Sequence, residues 1–336
     1  MSQQTRTVSR IITAIEQSEG AGARVRRAIG NMSMRKFNPF LMFDHFDSSG
    51  DAGFPEHPHK GQETVTMCLS GAIAHEDFTG SKGVLYPGDL QFMTAGRGIV
   101  HSEMPLPRKD KAKNVGLQLW VDLPDNLKNS KPRYRDLKEW EVPEVVEQDG
   151  KVKVKVISGK SYGVESQKEL AYTPVEYYYY TLKKDGNFTQ EVQPDFNYFM
   201  YVLKGNGLTL NGKQIKQYDT VFFNRDGNTI TGEHTGTKND DTEFVIIGGK
   251  ILDQEVVQHG PFVAPTREKI IQAFQDYQYA RNGFENIRTW RPLISDSKQI
   301  TQEMIDGPLD GNLEKRAAAK AAWLKAHKKA VQHDEL

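Results

Sequence analysis

The sequence predicts an all-β protein in which two related β-domains follow one another along the chain. Three observations carry that expectation. Twenty-nine glycines and 15 prolines are scattered through the 336 residues, mostly in the first 310, a density of turn-formers that suits many short strands. Apolar and polar residues alternate at the strand period, as where Val65, Met67 and Leu69 interleave with Thr64, Thr66 and Cys68. The stretch YVLKGNGLTLNGKQIKQYDTVFF also echoes MCLSGAIAHEDFTGSKGVLYPGDLQFM in its order of strand, Gly, strand, turn, Asp and strand, so one unit occurs twice.

From Val8 to Leu123 short strands are broken by Gly, Pro and Asp, with turns at Gly71, Gly80, Gly83 and Pro87-Gly88-Asp89. Between Asp125 and Pro143 the chain is charged and contains proline, with Trp140 near the end of the segment; this reads as an interdomain connector. The second unit places strands at Tyr198–Leu203, Leu208–Leu210 and Thr220–Phe223, the first two separated by Gly205-Asn206-Gly207. A helix is expected over Arg267–Ala280, where Ile270, Ile271, Phe274 and Tyr277 fall at helical spacing and Asn282-Gly283 follows as a stop. Residues 312–332 are rich in Ala and Lys without Gly or Pro, which favours a helix by propensity. Its apolar stripe of Leu313, Ala317, Ala321 and Leu324 is thin, so a solvated or loosely docked helix is expected. The division is therefore 1–135, 136–294 and a tail of 295–336.

Composition removes several functions. Lys plus Arg and Asp plus Glu both number 44, which argues against a chain built to bind nucleic acid directly. The basic loop from Arg108 to Lys113 remains a candidate surface for docking a protein, and Arg24, Arg26 and Arg27 are expected to form salt bridges. A single cysteine, Cys68, excludes an intrachain disulfide framework; it sits in an expected strand and reads as packing. No apolar run approaches the 18 residues of a membrane span. The last four residues, His333-Asp334-Glu335-Leu336, read as an endoplasmic-reticulum address, while the first 20 carry no hydrophobic signal segment. With the two signals in conflict, cytoplasm and nucleus are the expectation.

Chemistry concentrates in two short motifs. In an extended strand, side chains at i and i+2 share a face, so His57 and His59 aim at one point. His101 and Glu103 have the same spacing after another strand-like run, Leu90–Met93, and the Pro87-Gly88-Asp89 turn lies between the two motifs. Three neutral nitrogens and one carboxylate suit a first-row metal such as iron with positions left open; ligand type alone also admits zinc, manganese, copper and nickel. His45, between Asp44 and Phe46, is expected to make a structural hydrogen bond, and His75, beside Glu76 and Asp77, reads as a loop residue. Gly96-Arg97-Gly98 lacks the rest of a dinucleotide-binding fingerprint, and no phosphate-binding Gly-Lys-Ser/Thr motif occurs.

The segments NPFLMFDHFD, FPEHPHKGQETVTMCLSG, AHEDFTGSKG, YPGDLQFMTAGRGIVHSEMP and GLQLWVDLP resemble those of the pirin family, as do GARVRRAIG and ARNGFENIRTW. The resemblance spans roughly residues 8–294 and is densest over 38–124; the tail from about 295 and the terminal HDEL depart from it. It implies two stacked cupin-type β-barrels in one chain, with a few short helices. It further implies that His57, His59, His101 and Glu103 ligate a metal, normally iron, one per chain. Glu63 sits where other cupins place a carboxylate ligand and is expected instead to hydrogen-bond outside the metal. In the second unit the positions matching the four ligands are Glu191, Gln193, Thr231 and Glu233, with His234 adjacent; no imidazole pair survives, so that barrel is expected to be metal-free.

Two functions follow from the resemblance. Pirins resemble flavonol dioxygenases, and some members are credited with opening quercetin; there Glu103 would be the catalytic base for the flavonol 3-hydroxyl while the metal organises substrate and oxygen. Pirins are also described as nuclear, iron- and redox-dependent coregulators that bind transcription factors. A metal-stabilised scaffold without turnover is the third expectation, and a monomer is expected throughout.

Overall fold

The computed structural model describes residues 3–48, 52–108, 110, 112–166, 170–236 and 240–333, with side chains to residue 327. The first barrel is built from β2 to β12: Glu16–Glu19, Ala23–Ile29, Phe40–Ser48, Phe54–His59, Gln62–Ser70, Ile73–Asp77, Lys82–Leu85, Leu90–Thr94, Ile99–Pro105, Asn114–Asp122 and Arg133–Leu137. They form a seven-stranded sheet, β12-β9-β6-β11-β4-β3-β2, and a four-stranded sheet, β5-β10-β7-β8. β1 (Val8–Thr13) is absent from this set. It pairs with Asp219–Phe223 and so opens the other barrel's seven-stranded sheet, which is completed by 196–204, 242–250, 175–182, 152–158 and 144–147. A four-stranded sheet of 187–191, 229–234, 208–210 and 213–215 closes that second barrel, giving both units the same plan.

Strand alternation decides where the core lies. Val65 and Met67 of β6, with Leu117, Leu119 and Val121 of β11, join Phe199, Tyr201, Phe222, Val245 and Ile247 of the second barrel in one buried cluster. The apolar face of the long sheet is therefore the interface between barrels. Phe43 packs edge-on against Phe199 and Tyr201 there, at centroid separations of 5.2 and 5.4 Å. The opposite face of the same strands turns Thr64, Thr66, Gln118 and Trp120 into the first barrel, whose interior is consequently polar where the second barrel's is not. Tyr178, Tyr180, Met200, Val202, Phe244 and Ile246 fill the second interior.

The chain then returns to the first barrel. Phe262, Ile270 and Ala273 of α1 (Arg267–Gln278) and its approach, with Phe284, pack on Phe78, Met93, Ile99 and Val100. Ile305 of α2 (Gln302–Asp306), with Ile294, Ile300 and Leu309 flanking the helix, covers Ala74, Val84, Met104 and Leu106. The boundary expected at residue 135 falls inside β12, and the first strand and the 257–294 segment lie outside the units that the sequence division assigns them.

The last helix, α3 (Leu313–His333), is mostly exposed and docks through its cations. Leu313 and Leu324 are exposed, whereas Arg316 forks onto buried Asp89 at 2.6 and 2.8 Å and Lys320 reaches Glu139 at 2.7 Å. Arg316, Lys320 and Trp323, spaced one turn apart, form the half-buried face. The thin apolar stripe stays in solvent, as expected of a loosely docked helix, and the docking contact is a charged one to the Pro87-Gly88-Asp89 turn that hydropathy does not show. The Asp334–Leu336 end of the HDEL motif and Lys109 and Lys111 of the basic loop lie outside the described residues. No helix among the described residues is long and apolar enough to cross a membrane.

Candidate metal centre

β5 is the edge of its sheet, which is why Pro58 is tolerated between two histidines: its missing N–H would have faced no partner strand. Antiparallel pairing sets His101 of β10 directly opposite His57. Among the described residues, His57, His59 and His101 form one group whose ligating atoms all lie within 4.8 Å of one another. Nε2 of His57 and Nε2 of His101 approach to 2.9 Å. His57 Nδ1 lies 2.7 Å from the Pro55 carbonyl and donates to it, which leaves its Nε2 lone pair facing the cluster. Trp120 stands edge-on to His59, 4.9 Å between centroids.

Burial dominates the electrostatics. It pushes the His57 imidazole below its ordinary range, and those of His59 and His101 well below, where neighbouring imidazoles add to the effect. All three rings are thus neutral at pH 7, the form that ligates a metal. His59 Nε2 is buried without a hydrogen-bond partner. Gln62 Nε2 lies 2.8 Å from His59 Nδ1, while Gln62 Oε1 has no partner. Rotation of that amide, which gives up its 3.1 Å bond to the Pro261 carbonyl, would let Oε1 accept the His59 Nδ1–H and leave His59 Nε2 free for a cation. Converging neutral lone pairs and an orphaned buried nitrogen fit a divalent first-row ion.

Glu103 stands beside this group rather than inside it. The β5–β10 register slips between His101 and Glu103, a bulge that brings Glu103 opposite Phe54. Its carboxylate accepts from Thr66 Oγ1 at 3.0 Å and from Gln118 Nε2 at 3.1 Å. Burial lifts its pKa from 4.5 to about 7, against the pull of those two bonds. Sequence reading missed Gln62, Thr66, Gln118 and Trp120; the polar phase of the β6 and β11 alternation was the available signal.

The other candidates disperse. Glu63 accepts from Thr94 Oγ1 and from the backbone N–H groups of Tyr172 and Thr173, all at 2.6 to 3.1 Å, so it clasps the second unit's chain to β6 and makes no bond to the imidazoles. His45 makes its structural contact, 3.1 Å to Tyr201 Oη across the barrel interface. His75 corrects the loop expectation: it is buried in β7, bonded to Gln91 at 3.1 Å. Cys68 is buried, which pushes its thiol up to about 12 and removes it as a nucleophile. Arg24 and Arg26 pair with Glu16, and Arg27 with Glu19 and Asp44. In the second barrel Glu191, Gln193 and Glu233 are exposed, and buried His234 lies 3.0 Å from the Asp240 carbonyl.

A cavity of 1190 Å³ reaches the cluster through His57, which lines it with Glu103, Gln118 and Trp120, and has Phe46 and Phe54 in its wall. Fold and site together define a two-barrel cupin whose first barrel presents a histidine cluster of metal-ligand type. Residues 22–121 match the Pirin family, and residues 177–283 match the Pirin C-terminal cupin domain. The chain belongs to the pirin family. It is 41% identical over 298 residues to a Pirin-like protein of Solanum lycopersicum, covering 85% of this chain and 96% of that one. To Pirin of Homo sapiens it is 40% identical over 296 residues, covering 87% and 99%. Among solved structures, a quercetin 2,3-dioxygenase from Acinetobacter baumannii matches at TM-score 0.75 and 24% identity, over 82% of this chain and 98% of that one. The bacterial pirin YhhW of Escherichia coli, solved in complex with nickel(II), matches at TM-score 0.56 and 21% identity, over 72% and 100%. Both structural likenesses establish the fold.

Proposed function

We propose that this protein is a metal-dependent oxygenase of the quercetin 2,3-dioxygenase type, acting on a flavonol-like aromatic. His57, His59, His101 and Glu103 would hold one iron or another divalent first-row ion. The observation that carries the reading is the convergence of three neutral imidazoles, one of which, His57, lines an aromatic-walled cavity. A bound metal would supply Lewis acidity and bring substrate and oxygen together. The chain's own residues do the rest. Trp120, Phe46 and Phe54 offer flat apolar surface to a polyphenol ring. Glu103, poised near neutrality by burial, is placed to accept a proton from a substrate hydroxyl, with Thr66 and Gln118 fixing its orientation. The dioxygenase match in fold agrees with this reading but does not carry it.

The test is quercetin turnover in air by purified, iron-loaded protein, with carbon monoxide measured as product. Oxygen-dependent loss of quercetin with release of carbon monoxide is expected. Absence of turnover with iron, manganese, copper and nickel alike overturns the reading and puts a redox-dependent protein-binding role first.

A further inference from the structure

We propose that the outer part of the same cavity is an anion subsite, so that the substrate is a metal-chelating aromatic carrying a sulfate or carboxylate group remote from its chelating end. This rests on the metal-centred reading above and deepens it. The cavity measures 1190 Å³, more than the roughly 300–1000 Å³ typical of small-ligand sites. A bare flavonol seated against His57 and Trp120 would leave the outer part of that volume to water.

Three exposed cationic side chains belong to the cavity lining. Arg35 and Lys36, from the segment before β4, and Arg267, the first residue of α1, line the cavity. All three are exposed, and none makes an ion pair or side-chain hydrogen bond among the described residues. Carboxylates in the same wall are engaged elsewhere. Asp44 takes Arg27 in a fork of 2.9 and 2.7 Å, and Glu19 takes the same guanidinium at 2.8 Å. Glu56 accepts from Ser295 Oγ, and Glu103 from Thr66 and Gln118. Among the described residues Arg35 and Lys36 therefore make no ion pair, and Arg267 feels only Glu268, the next residue, although elsewhere in this neutral chain arginines find acids readily. Cations of one sign around a low-dielectric cleft attract and orient an anionic ligand, and a guanidinium fork suits sulfate and carboxylate alike.

The experiment compares binding of quercetin and quercetin 3′-sulfate to metal-loaded protein by calorimetry, at low and high salt. Wild type should bind the sulfate on the order of tenfold more tightly, given exposed cations acting together, and the advantage should shrink as salt is raised. The triple variant Arg35→Ala, Lys36→Ala, Arg267→Ala should keep its metal and lose the advantage. Equal affinities in wild type, including binding of neither, overturn the proposal, as does an advantage that survives in the triple variant. Preference for the sulfate without turnover of either compound would retire the oxygenase reading and leave the subsite standing. Turnover without preference would do the reverse.

Discussion

Glu103→Gln separates a carboxylate that takes part in metal binding from one that merely lies nearby. Burial has already made His57, His59 and His101 neutral at pH 7, so none of them releases a proton when a cation arrives. Glu103 differs, because burial lifts it to about 7. At pH 6 it is about nine-tenths protonated in the metal-free protein, and a cation that it ligates must displace that proton. Metal affinity should therefore rise about tenfold per pH unit from pH 5 to 7 and level off above, with about one proton released per metal at pH 6. In Glu103→Gln the affinity should be weaker at pH 8 and rise less steeply with pH, and proton release at pH 6 should fall below that of wild type. Calorimetry in two buffers of different ionisation enthalpy counts the protons directly. The metal-free protein gives an independent check of sign. A carboxyl raised from 4.5 to about 7 stabilises the fold fully below pH 4.5, and that contribution, about 3 kcal/mol, is lost as pH rises through 7. Wild type should thus lose about 3 kcal/mol relative to Glu103→Gln between pH 4.5 and 8 in denaturant titrations. Equal proton release by both proteins would refute the ligand role, and equal pH slopes of stability would refute the burial argument.

The remaining predictions concern residues around the centre. Gln62→Leu removes the partner of His59 Nδ1 and should weaken metal binding about 10- to 100-fold in a competition titration, with the fold unchanged by circular dichroism. Glu63→Gln keeps an acceptor but loses charge toward the Tyr172 and Thr173 amides; it should cost about 1–2 kcal/mol in denaturant unfolding and leave metal content at the wild-type level. Arg316→Ala removes the fork on buried Asp89 and leaves it Lys138 at 3.8 Å and the Tyr86 and Glu139 amides; it should destabilise the protein by about 1–2 kcal/mol, measured as a lower denaturation midpoint.

Much of this architecture is legible in the chain because strand periodicity and turn chemistry are local. The His57/His59 and His101/Glu103 spacings place each pair on a common face, and antiparallel pairing of β5 with β10 then joins the two motifs. What escapes is set by partners distant in sequence. The alternation at Val65 and Met67 identifies an apolar face but not that this face meets the second barrel, so the polar face, with Thr66 and Gln118, went unread as the wall of the site. The bulge that sets Glu103 apart from the imidazoles has no sequence marker comparable to a glycine in a turn. Arg316 illustrates the same limit, since an Ala/Lys-rich helix gives no sign of which cation will meet Asp89, 227 residues away in sequence.

Metal content of the purified, metal-reconstituted chain tests the account at its centre. One transition-metal ion per chain is expected, held in the first barrel. His59→Ala, folded by circular dichroism, should reduce it to near zero, while His234→Ala in the second barrel should retain the full complement. Two ions per chain, or one ion undiminished in His59→Ala, would contradict the assignment.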